Sequence, residues 1–348
     1  MRMMEPPVSP SELQDALRRF QDTSPWPGVT QIVFRLAGVA ILLSWALATW
    51  WNGQMLGFWV AGTVLGFWYA SFLILTHDAI HHTLTGWRRF DDFAARAMSW
   101  PVLWVHATYH EVHLLHHRMN GTNPLDPERV QPTPEELARA RGLVRVRLRH
   151  QMIWDMLLRG GLGLILETLM KGWSLRAQAP KMVRAIVQDL VGIASVAAGM
   201  QVAAYFIGER LEPGRGGQAM LGLAVLWLFM ERAIGIVMYV RKHVEHYGLW
   251  GERQHFFETQ VHACRNVGTN RLMSWFFNQL NFHSVHHAFP RVPFYQLEAA
   301  HRELTRLYGE RGVVLPEARG YSGAILDVLK LAWNHESGGS IASRPHRR

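Results

Sequence analysis

Four stretches of this chain are apolar for so long that their backbone cannot rely on water: Leu36 to Trp51, Met55 to Thr76, Ile186 to Ile207 and Met220 to Tyr239. In hydrocarbon every peptide N–H and C=O has to be satisfied within the segment, which restricts such runs to helices. About 20 residues cross a core of ~30 Å, so the first run needs its flanks while the second is of full length. The turn Asn52-Gly53-Gln54 joins the first two runs, and the Pro- and Gly-containing loop 209–217 joins the last two. The fold expected is all-α: a membrane protein with four transmembrane helices in two hairpins. Composition agrees, since 49% of residues are hydrophobic and only 18% are charged, against roughly 25% charged in soluble domains.

The formal charge of +9 invites a nucleic-acid reading, but no nucleic-acid motif accompanies it, and excess Lys/Arg on one side is what membrane topology requires. The hairpin loops hold no basic residue at 52–54 and two arginines at 209–217. Arg88, Arg89, Arg96, Lys181, Arg184, Arg241 and Lys242 flank the other helix ends. The positive-inside rule therefore places both termini on the cytoplasmic side. Residues 1–29 contain no apolar run behind a basic start, so no cleaved leader is expected. Residues 30–336 form the membrane domain, and the Gly/Ser/Arg-rich stretch 337–348 is expected to be disordered. Arg35 is placed to snorkel at the start of the first span, with Trp50 and Trp51 as interfacial anchors.

Between the hairpins the chain is amphipathic. Phe93 to Val105 and Met152 to Trp173 suit interfacial helices, the second bent at Gly160-Gly161. Thr133-Pro134-Glu135-Glu136 starts a helix by cap, proline and reciprocal Glu. That helix is expected to carry Arg139, Arg141, Arg145, Arg147 and Arg149 toward lipid headgroups, a redox partner or plain solvent. Glu231 and Arg232 fall inside the fourth run, where charge is costly, and are expected to pair with their surroundings or line a channel, unless the span boundary is shifted.

Histidines gather where the spans end. His77/His81 continue the second run, His113/His116/His117 follow 32 residues after His81, and His283/His286/His287 come near the end. Residues three and four apart share a helical face, so each set presents imidazoles to one point. His246, chosen over His243, extends the fourth run. Neutral imidazole suits iron, zinc, copper or nickel, and eight or nine such groups exceed one ion's needs and imply two ions or more. All these clusters fall on the side assigned to the termini, forming a cytosolic His-rich cap. Asp78, Asp126, Glu245 and Asn281 are candidates for orienting ligand imidazoles from behind. His82, His106, His110 and His262 are left open, as is His243. The single cysteine, Cys264, rules out an intramolecular disulfide framework and a multi-cysteine metal site, and is read as a packing residue.

From about residue 55 to 300 the chain resembles the integral membrane fatty-acid desaturases. The likeness rests on an ordered set: His77-Asp78-x-x-His81, His113-x-x-His116-His117 followed by an Asn/Asp-Pro segment, Glu245-His246 after the last span, and Asn281-x-His283-x-x-His286-His287 followed by Pro-x-x-Pro. The resemblance implies nine ligands, His77, His81, His113, His116, His117, His246, His283, His286 and His287, around two irons. It implies O2 as co-substrate, a lipid or acyl substrate, and electrons from an external donor such as a ferredoxin or a b-type cytochrome with its reductase. Front-end desaturases usually begin the third box with Gln, so His283 and the lack of a fused cytochrome set this chain apart from them. The expected activity is insertion of a double bond into a fatty-acyl chain. A di-iron hydroxylase or ketolase acting on a carotenoid, sterol or alkane is the nearest rival. A metal transporter is a remote one, since its ligands would lie near the bilayer midplane rather than beyond the span ends.

Overall fold

The computed structural model describes residues 7–177 and 180–334; the tail 337–348 lies outside them. The chain enters through α1 (Pro10–Arg18), whose Leu13 and Leu17 are buried in the main core. Next come α2 (Pro25–Trp51) and α3 (Met55–Ile80), antiparallel across a turn in which Gly53 has a φ of +69°, a left-handed conformation that a Cβ disfavours. Then follow α4 (Arg88–Ser99), a 3-10 turn at Trp100–Val102, and α5 (His106–Met119). After α5 lie α6 (Pro134–Arg139), α7 (Gly142–Arg149), α8 (Gln151–Trp154), a π-turn at Asp155–Arg159 and α9 (Gly160–Ser174).

The second hairpin is α10 (Pro180–Leu211) with α11 (Gly216–His246). The Glu209 carboxylate accepts from the Gly214 and Gly216 N–H groups at 3.0 and 2.9 Å and so closes its turn. The chain finishes with α12 (Phe256–His262), β1 (Asn266–Gly268), α13 (Arg271–Phe276), α14 (His283–Ala288), α15 (Phe294–Gly309), β2 (Glu317–Arg319) and α16 (Gly320–Asn334). The parallel pair β1–β2, with Val267 opposite Ala318, is the one sheet among the described residues. The architecture is all-α, as expected, with four helices, α2, α3, α10 and α11, long and apolar enough to cross a membrane.

These four are not equivalent. In their most apolar windows 67% of α3 and 50% of α11 is buried, against 17% of α2 and 6% of α10. The first pair therefore forms the inside of the bundle and the second pair its exposed apolar skin. Close contact between α3 and α11 depends on Gly66, where a Cβ would stand 2.8 Å from the Phe229 carbonyl oxygen. The two inner helices are the ones that run on into histidines.

Several local expectations are corrected. Arg35 does not snorkel: α2 begins ten residues earlier, and the guanidinium is fully buried. It donates to the Ser71 carbonyl, to the Trp275 carbonyl at 2.7 Å and to Asn278 Oδ1 at 3.4 Å, which ties α2 to α3, to α13 and to the segment after α13. The capping box at Thr133 and Glu136 forms, but its helix stops at Arg139. Ala140 is extended and Gly142 has a φ of +53°, so Arg145, Arg147 and Arg149 belong to the separate helix α7. The bend at Gly160 is present (φ +56°), and it places the start of α9 against the middle of α11. There Glu231 Oε1 accepts from Leu162 N at 2.6 Å. Arg232, paired with Glu231, donates to the Leu157 and Arg159 carbonyls. The charged pair thus satisfies backbone groups that a broken helix leaves unpaired.

Candidate metal centre

Four elements deliver the histidines. His77 sits in the last turn of α3 with His81 just beyond it, His113, His116 and His117 occupy the last turns of α5, His246 ends α11, and α14 carries His283, His286 and His287. What sets α5 in place comes from the second hairpin. Its cap residue Val105 supplies no side-chain acceptor, and the fully buried Asp189 of α10 accepts from Ala107 N at 2.6 Å instead. Asp189 also accepts from Arg96 Nε at 3.2 Å and Trp100 Nε1 at 3.3 Å. A carboxylate at the N-terminal end also opposes the positive pole of the α5 dipole.

The imidazoles fall into two groups. His77, His81, His113, His117 and His286 place one nitrogen each within 4.8 Å of all the others. Their Nε2 atoms approach closely: His81 to His113 at 3.2 Å, His117 to His113 at 3.0 Å, and His286 to His117 at 3.0 Å. In the second group His283 Nε2 lies 3.0 Å and His116 Nε2 3.3 Å from His246 Nε2. The His287 ring completes it, 4.6 Å from His283, 4.9 Å from His246 and 4.9 Å from His116 between centroids. The groups touch where His117 and His287 stack, with centroids 4.3 Å apart.

The backs of the rings decide which nitrogen is bare. His113 Nδ1 donates to Glu128 at 3.0 Å, His116 Nδ1 to Asp126 at 2.9 Å, His246 Nδ1 to the Ala263 carbonyl at 3.3 Å, and His287 Nδ1 to Gln260 Oε1 at 3.2 Å. Carboxylates and carbonyls only accept, so the proton of each ring is on Nδ1 and the inward Nε2 presents a lone pair. His116 and His246 thus face each other with lone pairs 3.3 Å apart, which repel unless a cation lies between them, and both nitrogens of buried His77 and the Nε2 of buried His287 find no hydrogen-bond partner among the described residues. The donor set therefore fits transition-metal ions that favour imidazole, one to each group.

Burial pushes His81, His117, His283, His286 and His287 well below the ordinary imidazole pKa and lowers His113 too. Burial works the same way on His116, but Asp126 outweighs it, and that ring sits above its ordinary value. Burial raises Glu128, yet the hydrogen bond from His113 overcomes this and holds the carboxyl well below its usual range.

Cys264 also falls among the second group, its Sγ within 4.8 Å of one nitrogen each of His246, His283 and His287, but it lies 3.9 Å from His246 Nδ1, the outward nitrogen, and accepts from Asn120. Burial raises the thiol far above its ordinary value; it is a neutral group behind the ring. His82, His106, His110, His243 and His262 join neither group. His243 Nδ1 donates to the Tyr239 carbonyl and His262 Nδ1 to the Glu258 carbonyl, within their own helices.

Of the four residues expected to orient imidazoles, Asp126 does so and two do not. Asp78 accepts from Asn278 Nδ2 at 2.7 Å, and Asn278 also meets Arg35, so this carboxylate anchors the loop before α14. Asn281 donates to the Val267 carbonyl at 3.1 Å and accepts from Ser274; its side chain turns toward β1 and away from the rings. Glu245 stands on the inner side, with Oε2 3.3 Å from His283 Nε2 and Oε1 held by Arg241 at 2.5 Å. Three acceptors went unread in the sequence: Glu128, Gln260 and the Ala263 carbonyl. Glu128, two residues after Asp126, carried a signal; the other two are defined only by the packing of α12.

A narrow cavity of about 70 Å³ adjoins both groups. It is lined by His77, His113, His116, His246 and His283, by apolar Leu73, Ile74, Trp104, Leu164 and Met238 from α3, α9, α11 and the chain before α5, and by charged Glu128, Arg241, Lys242 and Glu245. A model of the fatty acid desaturase family matches residues 56–318. The chain belongs to that family. The matched stretch contains all nine clustered histidines and every residue that lines the cavity, and leaves α1, α2 and α16 outside. Fatty acid desaturases are iron-using oxidoreductases of lipids in membranes, and the two imidazole groups are of the kind that holds such ions. No individual curated protein matches the chain.

Proposed function

We propose that this protein is an O2-dependent desaturase that inserts a double bond into a fatty-acyl chain, with His77, His81, His113, His117 and His286 holding one iron and His116, His246, His283 and His287 the other. The observation that carries this reading is the meeting of histidines from both imidazole groups and apolar side chains of α3, α9 and α11 at one cavity. When bound, the irons supply an oxidant strong enough to break unactivated C–H bonds, using O2 and two electrons from an external donor.

The chain's own residues do the rest. Leu73, Ile74, Leu164 and Met238 offer a surface on which an acyl chain is held without water, which fixes one methylene pair in place. Asp126 and Glu128 keep His116 and His113 in the tautomer that turns Nε2 inward. Glu245, gripped by Arg241, is a carboxylate on the inner side of the second group, placed to accept a proton or orient a polar group. Arginine and lysine flank the helix ends nearest the histidines, which supports a cytoplasmic metal site, cytoplasmic termini and delivery of electrons from that side.

The test is the lipid profile of a host expressing the chain. The expected product has lost two hydrogens, and the His116→Ala variant makes none. A product that has gained oxygen would assign the protein to the hydroxylases of the same metal chemistry, where rebound replaces the second hydrogen abstraction.

A further inference from the structure

Helix α7 belongs neither to the spans nor to the imidazole cap, and its surface is unlike that of a water-exposed helix. Leu143, Val144 and Val146 are 79%, 59% and 49% exposed. On a helical projection they share one side, while Arg145 and Arg149, four apart, share the other, with Arg141 extending that side by a turn. Arg147 alone interrupts the apolar side, and its stem is long enough to snorkel. No acid among the described residues pairs with Arg141, Arg145 or Arg147, all of which are exposed.

Two observations settle what covers this face. Exposed apolar side chains do not stop at α7: Ile153, Leu157 and Leu158 follow in the next turns, and Leu162, Leu166 and Met170 lie on α9, which packs against α11. Helix α7 also stands at the histidine end of the molecule, since Met152, three residues past it, packs with Tyr247, the residue after His246. An apolar strip that begins beside a membrane span and ends in a basic helix at the span's end has the layout of an interfacial helix on anionic lipid.

We propose that α7 docks on an anionic phospholipid surface, with Leu143, Val144 and Val146 in the headgroup–acyl boundary and Arg141, Arg145 and Arg147 among the phosphates. The proposal is independent of the reaction at the metal centre. A protein electron donor is the competing occupant, and the unpaired arginines alone would suit it. The exposed Leu and Val residues and their continuity with the membrane-facing strip favour lipid.

The test uses the full chain in lipid nanodiscs, with an environment-sensitive fluorophore on Leu143→Cys; native Cys264 is fully buried. Ile41→Cys, on the exposed face of α2, is the positive control for quenching. With brominated acyl chains and about one third phosphatidylglycerol, the Leu143 label is expected to be quenched about twofold or more. In pure phosphatidylcholine, or with Arg141, Arg145 and Arg147 all replaced by Gln, quenching falls to near zero because the electrostatic pull is lost. A Leu143 label that stays in water in anionic discs overturns the proposal. So does a label shielded only when an acidic electron-carrier protein is added, which would assign the face to that donor.

Discussion

At the scale of single residues, the centre depends on which nitrogen each ring turns inward, and Glu128 and Asp126 set that for His113 and His116. Residues three and four apart share a helical face, and eight of the nine histidines stand at that spacing in their three sets; His246 stands alone at the end of α11, and its Nε2 lies 3.3 Å from His116 and 3.0 Å from His283. The carboxylates were legible only in part, because whether Asp126 or Asp78 turns toward an imidazole depends on loop geometry that no local pattern fixes. Replacing Asp126 by Asn or Glu128 by Gln removes the charge that fixes a ligand tautomer. Each should lower iron affinity about 10–100-fold, read by chelator competition on the purified chain, while Asp78→Asn should leave it near the wild-type value.

The metal-free protein should also respond to pH. His81, His113, His117, His283, His286 and His287 are held below their ordinary pKa in the fold, so below about 6.5 the unfolded chain binds protons that the fold refuses. Stability from these groups is present above that pH and is lost as pH falls. His116, raised by Asp126, works in the opposite sense but is one group against six. Thermal midpoints of the metal-free protein in detergent should fall as pH drops from 7 toward 5; a rise would show that the rings are not buried neutral.

At the scale of elements, the four apolar runs announced four helices, and their pairing followed from the turns between them. What periodicity could not supply was which helices are inner. That distinction rests on Gly62 and Gly66 letting α11 approach α3, and on Asp189, an acid inside an apolar run whose partner Ala107 N lies 82 residues away. Asp189→Ala should cost about 1–3 kcal/mol by leaving the first turn of α5 uncapped and buried. It should also reduce iron per folded chain, because the helix holding three of the nine histidines loses its anchor. Gly235 is a second such point: a Cβ there would stand 2.2 Å from Gly161 N. Gly235→Ala should push α9 from α11 at a cost of about 1–3 kcal/mol, and should disturb the apolar wall formed by Leu164 and Met238 more than the imidazoles.

At the scale of the whole molecule, the fold is a device for bringing distant segments to one place at the end of a bundle. Inner helices α3 and α11 project His77 and His246 beyond the apolar zone, while α5 and α14 close over them, and the outer helices keep the assembly in lipid. The cavity between imidazoles and apolar wall is the part least legible beforehand, since Leu73, Trp104, Leu164 and Met238 have no shared sequence signature. The most direct test of the account is the metal content and Mössbauer spectrum of the purified chain reconstituted with iron. The account predicts about two irons per chain in nitrogen-rich sites, with His77→Ala and His287→Ala each perturbing a different one. One iron or none, or a spectrum that both variants leave unchanged, would contradict it.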